Sequence, residues 1–165
     1  MERNVVILTM SSKNNGYCVA GIDIKNGKWI RLVSDDVISH GALNKDDIKF
    51  KDGHFCAPLD IVKIPIIKEL PHEYQPENVL IDRKEFWIKM ETININSLLE
   101  IHPAERHNYL LGNQWSYITD KKIGSVGHSL VLVEVNDLSI EHPSEKSTKA
   151  SFLYYGIKYS SISVT

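Results

Sequence analysis

The chain has 165 residues, 42% hydrophobic and 24% charged, enough for one sizeable domain or two very small ones. That excludes a peptide hormone, a disordered tail and a multidomain machine. Nineteen Lys and Arg against twenty-one Asp and Glu leave a formal net charge of -2, so summed charge gives no general attraction to phosphate backbones and nucleic-acid affinity needs a local basic face. Cys18 and Cys56 are too few for a disulfide scaffold and read as small buried hydrophobes of a reducing interior. The early apolar run 5–8 is far shorter than a signal-peptide core or a membrane span, so the expected location is cytoplasmic, away from membranes.

Residues 4–10 form a β-rich apolar run, closed by the polar stretch 11–16 that reads as a loop. Runs 17–24 and 28–34 flank Asn26-Gly27, which predicts an antiparallel hairpin with a type I′ turn. On the second of these strands Trp29, Arg31 and Val33 share one face and Ile30, Leu32 and Ser34 the other, since side chains alternate with period two. Residues 35–54 are polar with room for a short helical turn, and 59–67 read as a strand in which Pro65 argues for an edge or an end. The stretch 70–78, with two prolines, predicts an ordered connection into a strand at 79–81. Residues 86–93 alternate as a strand, and 96–101 and 103–111 read as two short helices, the second opened by Pro103 and stopped by Gly112. Lys121-Lys122 reads as a solvated turn, 129–135 as the strongest strand of the second half, and 151–165 as a hairpin centred on Gly156. Short strands, few helices and no sustained βα alternation predict a mainly β fold of small antiparallel barrels or a sandwich.

No motif compels catalysis. Gly21 and Gly27 have the wrong spacing for a phosphate loop, and Trp29 stands where Ser or Thr would ligate magnesium. His54 with Cys56, and His102 with His107, lack the ligand count and spacing of a zinc site. His128 and Ser129 are adjacent, which on a strand sends them to opposite faces. Glu73, Glu77 and Asp82 cluster near the central connection, where solvated carboxylates are far commoner than an acid/base pair. No cofactor and no metal site is read from the sequence.

The block 18–23 with 27–34 resembles the opening of a bacterial family of uncharacterised proteins, the dual OB-domain family. Asp60-Ile-Val, Tyr74-Gln-Pro-Glu-Asn78 with Leu80-Ile-Asp82, Ser129-Leu-Val-Leu-Val, and the ending 152–165 resemble that family's further blocks in order. The chain departs from the pattern at Leu32, where a proline is expected. The resemblance implies two small OB-like antiparallel β-barrels packed into one compact unit with a few short helices, divided as 1–82 and 83–165. Its implied use is binding of single-stranded nucleic acid or other ligands.

Candidate ligand residues follow from side-chain chemistry. Trp29 and Arg31 supply an aromatic platform and a guanidinium, the pairing that stacks bases and meets phosphates. The competing reading packs Trp29 in the core and pairs Arg31 with an acid such as Asp23. Ser11, Ser12 and Lys13 are placed in the loop where OB folds present ligand contacts. Gln75, Glu77 and Asn78 either read base edges or tie down an irregular connection. Trp87, Trp115 and Tyr117 either extend a stacking surface or fill cores. The expected function is a non-catalytic binding module for single-stranded nucleic acid or a nucleotide-like ligand. The alternatives are a small-molecule sensor with a closed pocket and an accessory that binds a protein partner.

Overall fold

The structure is a computed structural model that describes residues 1–13, 15–119, 127–145 and 147–164, with Lys13 described by its backbone. The described residues divide into two compact units, Met1–Pro103 and the remainder from Ala104. The strand 88–92, which follows the expected division at 82/83, adds to the first unit's sheet.

The first unit holds β1 (Glu2–Lys13), β2 (Gly16–Asp23), β3 (Lys28–Val33), β4 (Asp60–Glu69), β5 (Asn78–Ile81), β6 (Ile88–Thr92) and one helix, α1 (Ile95–Ile101). The sheet runs β1-β2-β3-β5-β4-β6, and β1 also pairs with β4, so five strands close into a barrel. All pairings are antiparallel except β3 with β5. This is the five-stranded Greek-key barrel of the OB fold. Val5, Ile7, Val19, Ile30, Leu32, Val62, Ile64, Val79 and Ile81 alternate inward to form its core, and Leu43, Ile48 and Phe50 from the β3–β4 connection fill it. Gly21 faces Ile7 where β1 shifts register, and a Cβ there would lie 1.9 Å from the Val6 carbonyl oxygen. Only glycine permits so close a backbone approach.

Pro65 lies inside β4, not at an end or an outer edge. The Ile66 N–H donates to the Met1 carbonyl on the β1 side, so position 65 points its backbone to the opposite edge. That edge is shared by β6, along residues 60–63, and β5, from residue 66 on. There the Pro65 carbonyl accepts the Asp82 amide at 2.9 Å just past β5, so the missing N–H omits only the reciprocal bond at the end of that ladder. The β2–β3 turn also differs from expectation. It spans four residues between paired Asp23 and Lys28, with the Asn26 and Gly27 amides both donating to the Asp23 carbonyl. Gly27 has φ +65, whereas Asn26 does not take positive φ. The Asp23 carboxylate accepts the Lys25 amide and so stabilises the longer loop.

Buried Cys56 lies with its Sγ 3.6 Å from Met10 Sδ, and burial, reinforced by the Asp60 carboxylate, pushes its thiol up to about 12. Cys18 is half-buried, less enclosed than the sequence suggests. Trp87 is 2% exposed and joins the barrel core, so of its two readings the core one holds.

The second unit carries β7 (Asn136–Ser144), β8 (Ser147–Tyr154) and β9 (Ile157–Val164), an antiparallel meander, and a 3-10 turn at Leu110–Gly112. The C-terminal hairpin forms as expected, and Tyr155 (φ 47) and Gly156 (φ 77) give it a type I′ turn. Residues 103–109 are not helical. Their amides bond elsewhere: Glu105 to the Leu132 carbonyl, and His107 to the Tyr154 hydroxyl, while Leu110 bonds the Tyr159 hydroxyl. Residues 129–135 are not a strand. Their backbone at Leu132 is taken by Glu105, whose carboxylate accepts the Leu132 amide. Lys121 and Lys122 lie outside the described residues.

Candidate functional site

β3 follows the expected alternation: Ile30 and Leu32 are buried in the barrel, and Trp29, Arg31 and Val33 face outward, partly exposed. An outward row running Ile61, Val6, Ile22 is buried, each residue facing the next across the sheet, and it ends at Trp29. Asn94 caps α1 by accepting the Ser97 amide, and the helix end meets the β2–β3 turn. His102 Nδ1 lies 2.7 Å from the Gly27 carbonyl oxygen, and its ring stands edge-on to Trp29 with centroids 5.8 Å apart. Trp29 is therefore oriented by a neighbouring ring and keeps part of its surface in solvent.

The parallel pairing of β3 with β5 sets Arg31 opposite Asn78, so both face outward from the barrel. The Arg31 amide donates to the Glu77 carbonyl at 2.9 Å, and Arg31 Nε stands 3.5 Å from Glu77 Oε1. Both side chains are largely buried, 13% and 8% exposed. The expected partner Asp23 is engaged instead by Arg3, at 2.6 Å, and Arg3 also meets Glu69. Asn78 reaches back into the β4–β5 loop, its Nδ2 donating to Gln75 Oε1 at 3.2 Å. That loop is ordered by a tight turn in which His72 and Gln75 exchange backbone bonds. Residues 29, 31, 75, 77 and 78, from two separated stretches of sequence, thus form one continuous constellation.

Ser11 and Ser12 do not join it. They belong to β1 rather than to a loop, because the β1–β2 ladder continues to Lys13 and pairs them with Cys18 and Tyr17. Those partners are two and three positions along β2 from Ala20, the residue facing Arg31, or roughly 7 and 10 Å by strand rise. Lys13 pairs with Gly16 beside the hairpin tip.

The polar segment after β3 holds a feature the sequence reading missed, an open groove of about 470 Å³. Asn15 and Gly16 line one side, and Asp36, Ile38, His40 and Asn44 the other. The Asp36 carboxylate accepts the Ile38 and Ser39 amides, which hold it below the usual carboxylate range. Asp36, Ser39 and Gly41 are turn formers, and their spacing was the available signal. Val37 and Ile38 are left 84% and 92% exposed on this turn.

The carboxylate cluster dissolves into separate structural roles, with Glu77 against Arg31 and Asp82 accepting the Lys84 amide. His54 is exposed beside Asp52. Trp115 and Tyr117 are 66% and 64% exposed in the second unit. Among the described residues no group of three or more His, Cys, Asp or Glu side chains could hold a metal ion, and no helix is long and apolar enough to cross a membrane.

A family model described as the dual OB-containing domain matches residues 3–165. No curated protein and no solved structure gives a significant match. With the barrel closed in OB order and the family model spanning nearly its whole length, the chain belongs to the dual OB-containing domain family.

Proposed function

We propose that this protein is a binding module for single-stranded nucleic acid or a nucleotide-like ligand, and that the ligand lies on the outward face of β3 against the β4–β5 loop. One observation carries the reading: the β3–β5 register places Trp29, Arg31 and the 75–78 segment together. In OB folds, the face of strands 2 and 3 and the loops after strands 1 and 4 are where oligonucleotides and oligosaccharides bind. A tryptophan partly open to solvent suits base stacking, which is worth about 1–3 kcal/mol per base.

Charge makes the reading specific. Arg31 faces Glu77, Arg3 is held by Asp23 and Glu69, and Arg83 by Asp47 and Asp35, so these three guanidinium groups are already matched by carboxylates. Labelled oligonucleotides followed by fluorescence anisotropy should bind with a shallow salt dependence, no steeper than about -1.4 in log K against log salt, the equivalent of two single-strand phosphates. Trp29→Ala should weaken binding by about 1–3 kcal/mol without lowering the melting temperature in proportion. Absence of binding at low salt would contradict the proposal.

The groove between the β1–β2 tip and the β3–β4 connection supports a second reading, a small-molecule sensor. A metabolite that raises the melting temperature with no response to salt would favour it.

A further inference from the structure

Asn78 is 7% exposed, and its Oδ1 is a buried acceptor that no donor among the described residues reaches. A buried acceptor without a donor costs free energy, and such groups are uncommon in folded proteins. The other half of the same amide is engaged, with Nδ2 donating to Gln75 Oε1. That bond leaves the Gln75 amide nitrogen as a donor beside an acceptor. Asn78 opens β5 directly opposite Arg31 and faces outward with it. The neighbouring Glu77 carboxylate is matched by the Arg31 guanidinium, which leaves the place without net charge.

Resting on the binding reading above, we propose that Asn78 and Gln75 read the hydrogen-bonding edge of a nucleobase, with Asn78 Oδ1 accepting an N–H of the base and the Gln75 amide donating to a neighbouring ring nitrogen or carbonyl. An amide oxygen left without a donor attracts an N–H group, which a base edge carries and a phosphate does not. Paired amide groups are a recurrent way to recognise a base, as in the bidentate contacts of Asn or Gln to adenine. The occupant is therefore selected by its base, stacked on Trp29, and not by its backbone.

The test compares a labelled oligodeoxyadenylate with an abasic oligomer of the same length at low salt, for the wild-type protein, Asn78→Leu and Gln75→Leu. The wild type should bind the adenylate and not the abasic strand. Asn78→Leu should lose about tenfold in affinity while its melting temperature holds or rises, since an unpaired acceptor is removed. Gln75 lies on the partly exposed loop, so Gln75→Leu should lose affinity in an intact fold. Equal binding of the abasic strand, or unchanged affinity in both variants, would overturn base reading and leave the nucleic-acid proposal standing. Failure of every oligonucleotide to bind would overturn both.

Discussion

Truncating Trp87 to alanine should destabilise the first unit by about 3–5 kcal/mol, the range for removing a large aromatic side chain from a packed core. Trp87 is 2% exposed and stands just before β6, where its backbone bridges to Phe50. From there its ring enters the cluster formed by the barrel strands and by Leu43, Ile48 and Phe50 of the β3–β4 connection. Loss of the ring would leave a cavity bordered by elements that cannot all move in, because the barrel strands are fixed by their ladders on both sides. Domains of this kind have total stabilities of about 5–15 kcal/mol, so the variant would sit near its folding limit. Urea unfolding measures this directly: the midpoint should fall sharply with the slope unchanged. A loss under about 1 kcal/mol would contradict the core position of Trp87.

Asp60 gives the second large effect and a pH dependence. It is 2% exposed and receives three donors: Lys89 Nζ at 2.6 Å, Thr92 Oγ1 at 2.6 Å and the Ala57 amide at 3.0 Å. Burial alone would raise its pKa, but these bonds and the Lys89 charge outweigh it and hold the carboxyl below the ordinary aspartate range. These contacts pin β6 to the start of β4, the region where the ladder shifts register. Asp60→Ala should cost about 2–3 kcal/mol at neutral pH, less than a fully buried pair because Lys89 is 45% exposed and can return to water. A folded pKa below the unfolded one contributes stability above the unfolded value, near 3.9, and that contribution is lost as pH falls through the folded pKa. The difference in melting temperature between wild type and Asp60→Ala should therefore be constant above about pH 5 and shrink on acidification. A difference that grows toward acid would show that the charged carboxylate is not what stabilises the fold.

Local patterns made β1 to β3 readable, because Trp29 to Val33 alternates between a filled barrel and an outer face. Gly156 marked the last hairpin for the same kind of reason, since its turn needs positive φ and a following strand. Residues 129–135 misled because an apolar β-rich run needs a partner strand, and its neighbour here is an irregular segment carrying Glu105. β7 was missed for the opposite reason: Asn136–Ser144 is exposed along its length and takes its conformation from pairing with β8, not from its own pattern. At the candidate site, period two put Trp29 and Arg31 on one face, but the pairing of Arg31 with Glu77 depends on a parallel contact between strands distant in sequence. No periodicity within either strand encodes that register. The sequence therefore offered Asp23, the nearer acid, which the fold assigns to Arg3.

The central claim is that ligand occupies the β3 face beside the β4–β5 loop. The chain has three tryptophans in three environments: Trp29 partly exposed on that face, Trp87 in the core, and Trp115 exposed in the second unit. Their indole N–H signals in a nitrogen-15 correlation spectrum, recorded as a short single-stranded oligonucleotide is added, make the most direct measurement. The expected result is a shift of the Trp29 indole together with the backbone amides of Arg31, Gln75, Glu77 and Asn78, with Trp87 and Trp115 unmoved. Shifts confined to Trp115 or to residues 36–44, with Trp29 and the 75–78 amides unchanged, would contradict it.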